Sequence, residues 1–279
     1  MKTARLYKRP TFDIDRISAR TFVRDIDYHR TIPSTNTRAL ELAAIPANRL
    51  PVLVIAENQT AGRGRGANSW WSAKGALTFS LLLDLGRHPA PPDSWPRMAL
   101  AAAVSVCEAM ETLAPAVAFG IRWPNDVYAR HQKICGILPE LCPGAAPRLV
   151  LGIGINVNNS TVGAPEPLPV NATSLVDIAG RTFNLTSTLV EVLRRLELRL
   201  ADLESSSSEL AEEWSRRCLL RGHSVRLQVN EDIVEGHCMG IDSTGAIGIR
   251  TPRGIEKFYG GAVVGVGAAN GSTFGQHNP

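Results

Sequence analysis

The spacing of apolar and polar positions divides the chain into two textures. Residues 22–29 (FVRDIDYH) alternate as an edge strand does. Residues 52–60 (VLVIAENQT), 75–83 (GALTFSLLL) and 148–156 (RLVLGIGIN) are short, nearly continuous apolar runs, which predict buried strands. Gly152 and Gly154 interrupt the last run, and glycine in a buried strand marks the close approach of another backbone or a ligand. An Ala-rich stretch, 93–113, predicts a helix capped by Asp93 or Ser94 and able to lie close on a sheet, with Cys107 in its core face. Ser34, Thr35 and Asn36 stand before a short Ala/Leu-rich helix, either as its N-cap or as a polar cluster facing a ligand. A strand over 117–122 ends at Trp123-Pro124, and a hairpin follows, turning through 129–132. Leu189, Leu193, Leu196, Leu200 and Leu203 recur at three and four, so a helix is expected from a Thr188/Glu191 capping box to about residue 203. A serine run at 205–208 breaks it, and a second short helix spans 209–217. From residue 219 the texture changes to short β-rich pieces between Gly, Asn and Asp turns, the pattern of a small antiparallel barrel or sandwich.

These patterns suggest a leader at 1–21, frayed or lying on the surface, an α/β domain at 22–217, a β-rich domain at 218–268 and a disordered polar tail at 269–279. A turn at 143–147 and a Pro/Gly loop at 161–169 punctuate the first domain. The 279 residues, 44% hydrophobic and 20% charged, have the composition of a soluble globular protein. A net charge of +4 is too mild for a dedicated nucleic-acid surface. Five scattered cysteines without a CxxC pair indicate reduced thiols in a cytoplasmic chain, not a disulfide framework. No apolar run approaches the ~20 residues of a membrane helix, and the basic N-terminus lacks the apolar core of a signal peptide. His223 and His237 have no cysteine or carboxylate at metal spacing, so no metal ligand is assigned.

The chemistry concentrates at 62–71, GRGRGANSWW. Its three glycines oppose helix or packed strand, and they leave backbone N–H groups free to approach an anion beside the guanidinium groups of Arg63 and Arg65. Trp70 and Trp71 could close over a ligand. A plain surface loop is the alternative, but the two apolar strands on either side favour a phosphate-handling lid. Asn125 and Asp126 lie just past a strand end, where open α/β sheets place ligand groups. Lys133 reads either as a solvated turn lysine or as a cation of the same site.

Taken in order, Ser34-Thr35-Asn36, Gln59 with Gly62-Arg63-Gly64-Arg65 and Trp70, Trp123-Pro124-Asn125-Asp126, Lys133 with Gly136, and the GIGIN run at 152–156 resemble the biotin protein ligases, from about residue 30 to 200. The ATSL segment at 172–175 and the β-rich C-terminal part are similar too, while Ala67, Ala73 and Pro139 depart from the family pattern, the last suggesting a bulge or an edge. The resemblance implies a class II synthetase-like α/β fold with a mixed central β-sheet, and a small SH3-like C-terminal barrel. It implies that biotin and ATP, accompanied by Mg²⁺, form biotinyl-5′-AMP, and that the biotinyl group passes to a lysine of the apo biotin carboxyl carrier protein. On that resemblance Lys133, Arg65 and Asp126 are the catalytic candidates. Ser34, Thr35, Asn36, Gln59, Gly62, Arg63, Lys133, Gly136 and Gly154 would bind biotin. Arg63, Arg65, Trp70, Asn125, Lys133 and Asn156 would bind ATP or the adenylate. Partners in nucleic acid or membrane are not expected, and the enzyme would be a monomer or homodimer. A lipoate or octanoate transferase of the same fold and a non-catalytic biotin- or nucleotide-binding module remain open. A repressor would need a winged-helix domain before Ser34, for which about 30 residues are too few.

Overall fold

The computed structural model describes residues 11–45, 49–86, 95–142, 147–162, 164, 171–205 and 208–269. The expected cap at 93–94, most of the 143–147 turn and of the 161–169 loop, and the 270–279 tail lie outside the described residues.

The first part is built on a seven-stranded sheet in the order β1-β2-β3-β7-β6-β5-β4. Its strands are β1 (Asp25–Ile32), β2 (Val52–Gln59), β3 (Leu77–Asp84), β4 (Phe119–Arg122), β5 (Asp126–Ala129), β6 (Gln132–Cys142) and β7 (Arg148–Ile155). Only the β1–β2 pair is parallel, so the sheet is mixed, with β1 on one edge. Side chains alternate across its two faces. Leu53, Ile55, Leu77, Phe79, Leu81, Leu151, Ile153 and Ile155 enter the main core on one face. That face is covered by α3 (Trp95–Leu113) and α5 (Leu185–Glu204), which pack together. Val52, Val54, Leu82 and Val150 point the other way, under α2 (Thr35–Ala43). Because α2 is only nine residues long, it leaves part of this second face for a site.

Several boundaries differ from the sequence reading. Residues read as a leader contain α1 (Ile14–Arg20), capped by the Asp13 side chain, and Phe12 and Ile17 are fully buried in the core. Too few turns are present there for a helical period to be read. The edge strand lies three residues later than expected, at Asp25–Ile32. Helix α5 begins one turn before the expected capping box: Asn184 caps it through the Ser187 N–H, and the buried Thr188 hydroxyl donates back to the Asn184 carbonyl. Pro139 makes no bulge, since β6 and β7 stay in register through Pro139–Leu151. The proline is tolerated because β5 pairs with β6 only as far as Gly136, leaving the outer side of β6 without a ladder there.

The second sheet is antiparallel, ordered β11-β10-β9-β8-β12: β8 (His223–Val229), β9 (Asp232–Ile241), β10 (Ile247–Thr251), β11 (Gly254–Phe258) and β12 (Ala262–Ala269). It is a five-stranded SH3-like unit reached through α4 (Leu175–Ala179), α5 and α6 (Ser208–Arg216). Two buried indoles join it to the first part. The Trp123 N–H donates to the Gly245 carbonyl at 3.1 Å and the Trp214 N–H to the Asp242 carbonyl at 2.9 Å. Val225, Leu227, Ile247 and Ile249 belong to the same apolar core as α3 and α5. Trp123→Ala should therefore destabilise the fold by about 3–5 kcal/mol, the range for emptying a buried aromatic site. A urea midpoint unchanged from wild type would contradict this role.

The five cysteines are buried and free. Burial pushes the Cys107 thiol up to about 12, with nearby carboxylates adding to the effect, in keeping with a core role. No helix among the described residues is long and apolar enough to cross a membrane.

Candidate active site

The even-numbered face of the sheet, beyond the reach of α2, carries Thr78 and Ser80 on β3, Gly152 and Gly154 on β7, and Gly136 and Glu140 on β6. Three other segments converge on it.

The first is the start of α2. Ser34 is the N-cap, its Oγ accepting from the Thr37 N–H at 3.4 Å. Gln59, at the end of β2, accepts through Oε1 from the Thr35 N–H at 2.7 Å and the Thr35 hydroxyl at 3.0 Å. Ser80 Oγ lies 2.8 Å from Thr35 Oγ1 and donates to Asn36 Oδ1 at 2.5 Å. Asn36 Nδ2 in turn donates to the Leu138 carbonyl at 3.2 Å and to Glu140 Oε2 at 2.8 Å. Asn36 is therefore both cap-adjacent and fully engaged, and it braces the site from below. A Cβ on Gly152 would stand 1.9 Å from Asn36 Oδ1, which explains the glycine in this central strand.

The second is the lid. Residues 62–70 do not form the open amide cradle expected from their glycines. They fold as a tight hairpin in which the Trp70 N–H donates to Gly62, the Gly64 N–H to Asn68 and the Asn68 N–H to Arg65, at 2.9, 2.8 and 3.2 Å. Arg63 and Ser69 form an antiparallel bridge, and Gly66 turns the chain with φ +63°. A Cβ on Gly62 would meet the Trp70 carbonyl at 2.4 Å, so this glycine is needed for the hairpin to close. The Trp70 ring lies on the glycine floor: a Cβ on Gly154 would stand 2.4 Å from its Cε2, and one on Gly136 would stand 3.3 Å from its Cζ3. Its indole N–H is buried without a hydrogen-bond partner, a position that costs roughly 1–3 kcal/mol unless a ligand acceptor meets it. Arg65 donates to the Gly261 carbonyl of the C-terminal sheet.

The third is the β5–β6 hairpin. Lys133 is fixed by its backbone, its N–H donating to Asn171 and its carbonyl accepting from Thr173, so the 172–175 segment lies alongside. Its Nζ sits 2.7 Å from Asp126 Oδ1, with both side chains about four-fifths buried. A Cβ on Gly136 would come within 3.5 Å of the ammonium, so Gly136 opens the floor beside it. Arg63 is likewise matched, with Nη2 and Nη1 at 2.6 and 3.1 Å from the two oxygens of Glu140. Lys133 and Arg63 thus each carry a carboxylate at rest.

The structure brings Ser34, Thr35, Gln59, Gly62, Arg63, Trp70, Asp126, Lys133, Gly136 and Gly154 around one floor. Asn125 and Asn156 are held by hydrogen bonds within the protein. Asn125 Nδ2 donates to the Ile137 carbonyl at 2.6 Å, and the Ile137 N–H donates back to the Asn125 carbonyl at 3.0 Å. Asn156, buried, donates to Thr173 at 3.0 Å and accepts from Asn159 at 2.8 Å, tying the 172–175 segment to β7. Glu140 was missed by the sequence reading, although counting by twos from Gly136 along β6 places it on the same face. Two open cavities of about 490 and 620 Å³ lie at the C-terminal sheet, lined by residues such as Arg221 and His237 or Arg97 and Asp242, and contain none of these groups. Among the described residues, no cluster of His, Cys, Asp or Glu could hold a metal ion by itself.

Comparisons with known proteins show what the chain is similar to. The profile of the Biotin/lipoate A/B protein ligase family matches residues 28–158. The chain is 34% identical over 230 residues to a biotin–[acetyl-CoA-carboxylase] ligase of Mycobacterium tuberculosis, spanning 80% of this chain and 82% of the relative. A protein of the same name from Paracoccus denitrificans is 30% identical, spanning 82% and 98%. Among solved structures, the biotin protein ligase of Aquifex aeolicus in complex with biotin and ATP superposes with a TM-score of 0.74 at 30% identity, covering 86% of this chain and 97% of that one.

Proposed function

We propose how the residues of this chain divide its work: it belongs to the biotin/lipoate A/B protein ligase family and is an ATP-dependent biotin–[acetyl-CoA-carboxylase] ligase. The observation that carries the residue assignment is the Lys133 ammonium beside the Gly136–Gly154 floor, under Trp70 and next to the Thr35–Gln59–Ser80 network.

In the first step a biotin carboxylate oxygen attacks the α-phosphorus of ATP, and pyrophosphate leaves with the electron pair of the broken P–O bond. Both reactants are anions, so their approach needs cations already in place. Lys133 bridges the carboxylate and an α-phosphate oxygen, where charge is greatest in the transition state. Asp126 holds the ammonium in that direction before the substrates arrive. Thr35, Gln59 and Ser34 offer the fixed polar partners that a ureido ring needs in an otherwise apolar slot. Arg63 and Arg65 neutralise carboxylate and phosphate oxygens, Arg63 on the biotin side, and Trp70 covers the intermediate and excludes water that would hydrolyse the mixed anhydride. Mg²⁺, held by the ATP phosphates, would share their charge. In the second step the amine of a carrier lysine attacks the acyl carbon, AMP leaves, and Asp126 receives the amine proton once Lys133 has turned to the phosphate.

The first step is tested by ATP–pyrophosphate exchange. Exchange that depends on biotin supports the reading, while exchange supported equally by lipoate, or absent, would count against it. The lid carries its own expectation. Arg65→Gly should weaken retention of the adenylate more than it weakens the fold, because Arg65 is exposed and meets only a carbonyl outside its own hairpin. Escaped adenylate would then label lysines of an unrelated protein, and a variant as selective as wild type would contradict the retaining role.

A further inference from the structure

We propose that Glu140 is a positioning residue for biotin capture, acting as the anchor that holds the lid arginine over the floor; this rests on the function proposed above. Three observations place it there. Its two carboxylate oxygens take both terminal nitrogens of Arg63, at 2.6 and 3.1 Å. The same Oε2 accepts from Asn36 Nδ2 at 2.8 Å, and Asn36 is the buried group that joins Ser80 and the start of α2. Glu140 also lies in the part of β6 beyond the β5 ladder, which ends at Gly136, and on the face that carries the glycine floor.

The consequence follows from the geometry of the guanidinium. Two of its five N–H donors are taken by Glu140, one on each terminal nitrogen, and the others remain directed away from that carboxylate. A fork fixed on one side presents the rest of its donors without the loss of rotamer freedom that a loose arginine suffers on meeting an anion. Glu140 touches neither the reacting atoms nor the ureido partners Ser34, Thr35 and Gln59 themselves, so it acts through Arg63 above the slot and Asn36 beneath it. One carboxylate thereby connects the ground of the biotin slot, through Asn36 and Ser80, to the roof, through Arg63.

The test uses the full-length protein and biotin-dependent ATP–pyrophosphate exchange. Glu140→Gln keeps an acceptor for Asn36 and is expected to fold. It should raise the KM for biotin about tenfold, the scale of one lost charge-assisted bond, while kcat changes by less than about twofold, since adenylation itself belongs to Lys133. Hydrogen exchange at residues 62–70 of the unliganded variant should be faster than in wild type. Against an Arg63→Ala background, Glu140→Gln should add nothing, because the two act as one unit. A KM and lid exchange equal to wild type would overturn the proposal. So would a Glu140→Gln effect that adds in full to Arg63→Ala, which is what a purely structural carboxylate would give. If wild type shows no biotin-dependent exchange, it is the assignment of function that fails; wild-type activity with an indifferent Glu140 removes the anchor alone.

Discussion

Lys133→Ala should leave a folded protein whose rate of biotin adenylation falls by about 10²-fold or more, the scale of one lost electrostatic stabiliser. The fold should survive because the Lys133 backbone, not its side chain, binds the 172–175 segment. The Asp126 carboxylate left behind is about one-fifth exposed and so keeps contact with water. The loss should appear in kcat and in kcat/KM together, since the ammonium acts where transition-state charge gathers. Lys133→Arg should restore little, because a planar fork cannot replace a compact point charge between a carboxylate and a phosphate. Single-turnover formation of the adenylate measures this, and near-normal rates in the alanine variant would remove Lys133 from the chemistry.

Gly154→Val should leave the strand intact and damage the site. Valine suits a buried strand position, and β7 is paired on both sides at this level, through Thr78 and Gly136. Its side chain, however, would enter the volume now held by the Trp70 ring, 2.4 Å from the Cβ position. The floor, paired on both sides, cannot sink to make room. Overfilling a packed position costs about 1–3 kcal/mol, which becomes roughly a 10- to 100-fold rise in the KM for biotin. A thermal midpoint near wild type combined with that KM would place the glycine in the slot. A biotin KM unchanged from wild type would show that the slot lies elsewhere.

How much of this was legible in the sequence depends on the range over which each residue acts. Ser34 as a cap, the Gly152 and Gly154 interruptions, and the β5–β6 hairpin follow from local rules, and the structure has them. The order of the motifs was enough to suggest the family. What could not be read were partnerships between distant segments. Asn36 meets Glu140 more than a hundred positions away, and Arg65 meets Gly261 across the whole first domain. The nucleotide roles of Asn125 and Asn156 rest on the family resemblance; what the sequence does not show is that their amides donate to the Ile137 and Thr173 carbonyls. Trp123 marks no more than a strand end in the sequence, but its buried ring is the peg on which the C-terminal sheet hangs. The glycine-rich lid misled in the opposite sense: glycine was read as freedom, whereas Gly62 and Gly66 serve a specific closed hairpin.

The central claim is that one chain both activates biotin and delivers it to a single lysine. Its most direct test is to incubate the protein with ATP, Mg²⁺, biotin and an apo biotin carboxyl carrier domain, and to weigh the carrier. The account predicts a gain of one biotinyl group, on one lysine, only when biotin and ATP are both present. A carrier of unchanged mass, or one that gains a lipoyl group as readily when lipoate replaces biotin, would contradict it.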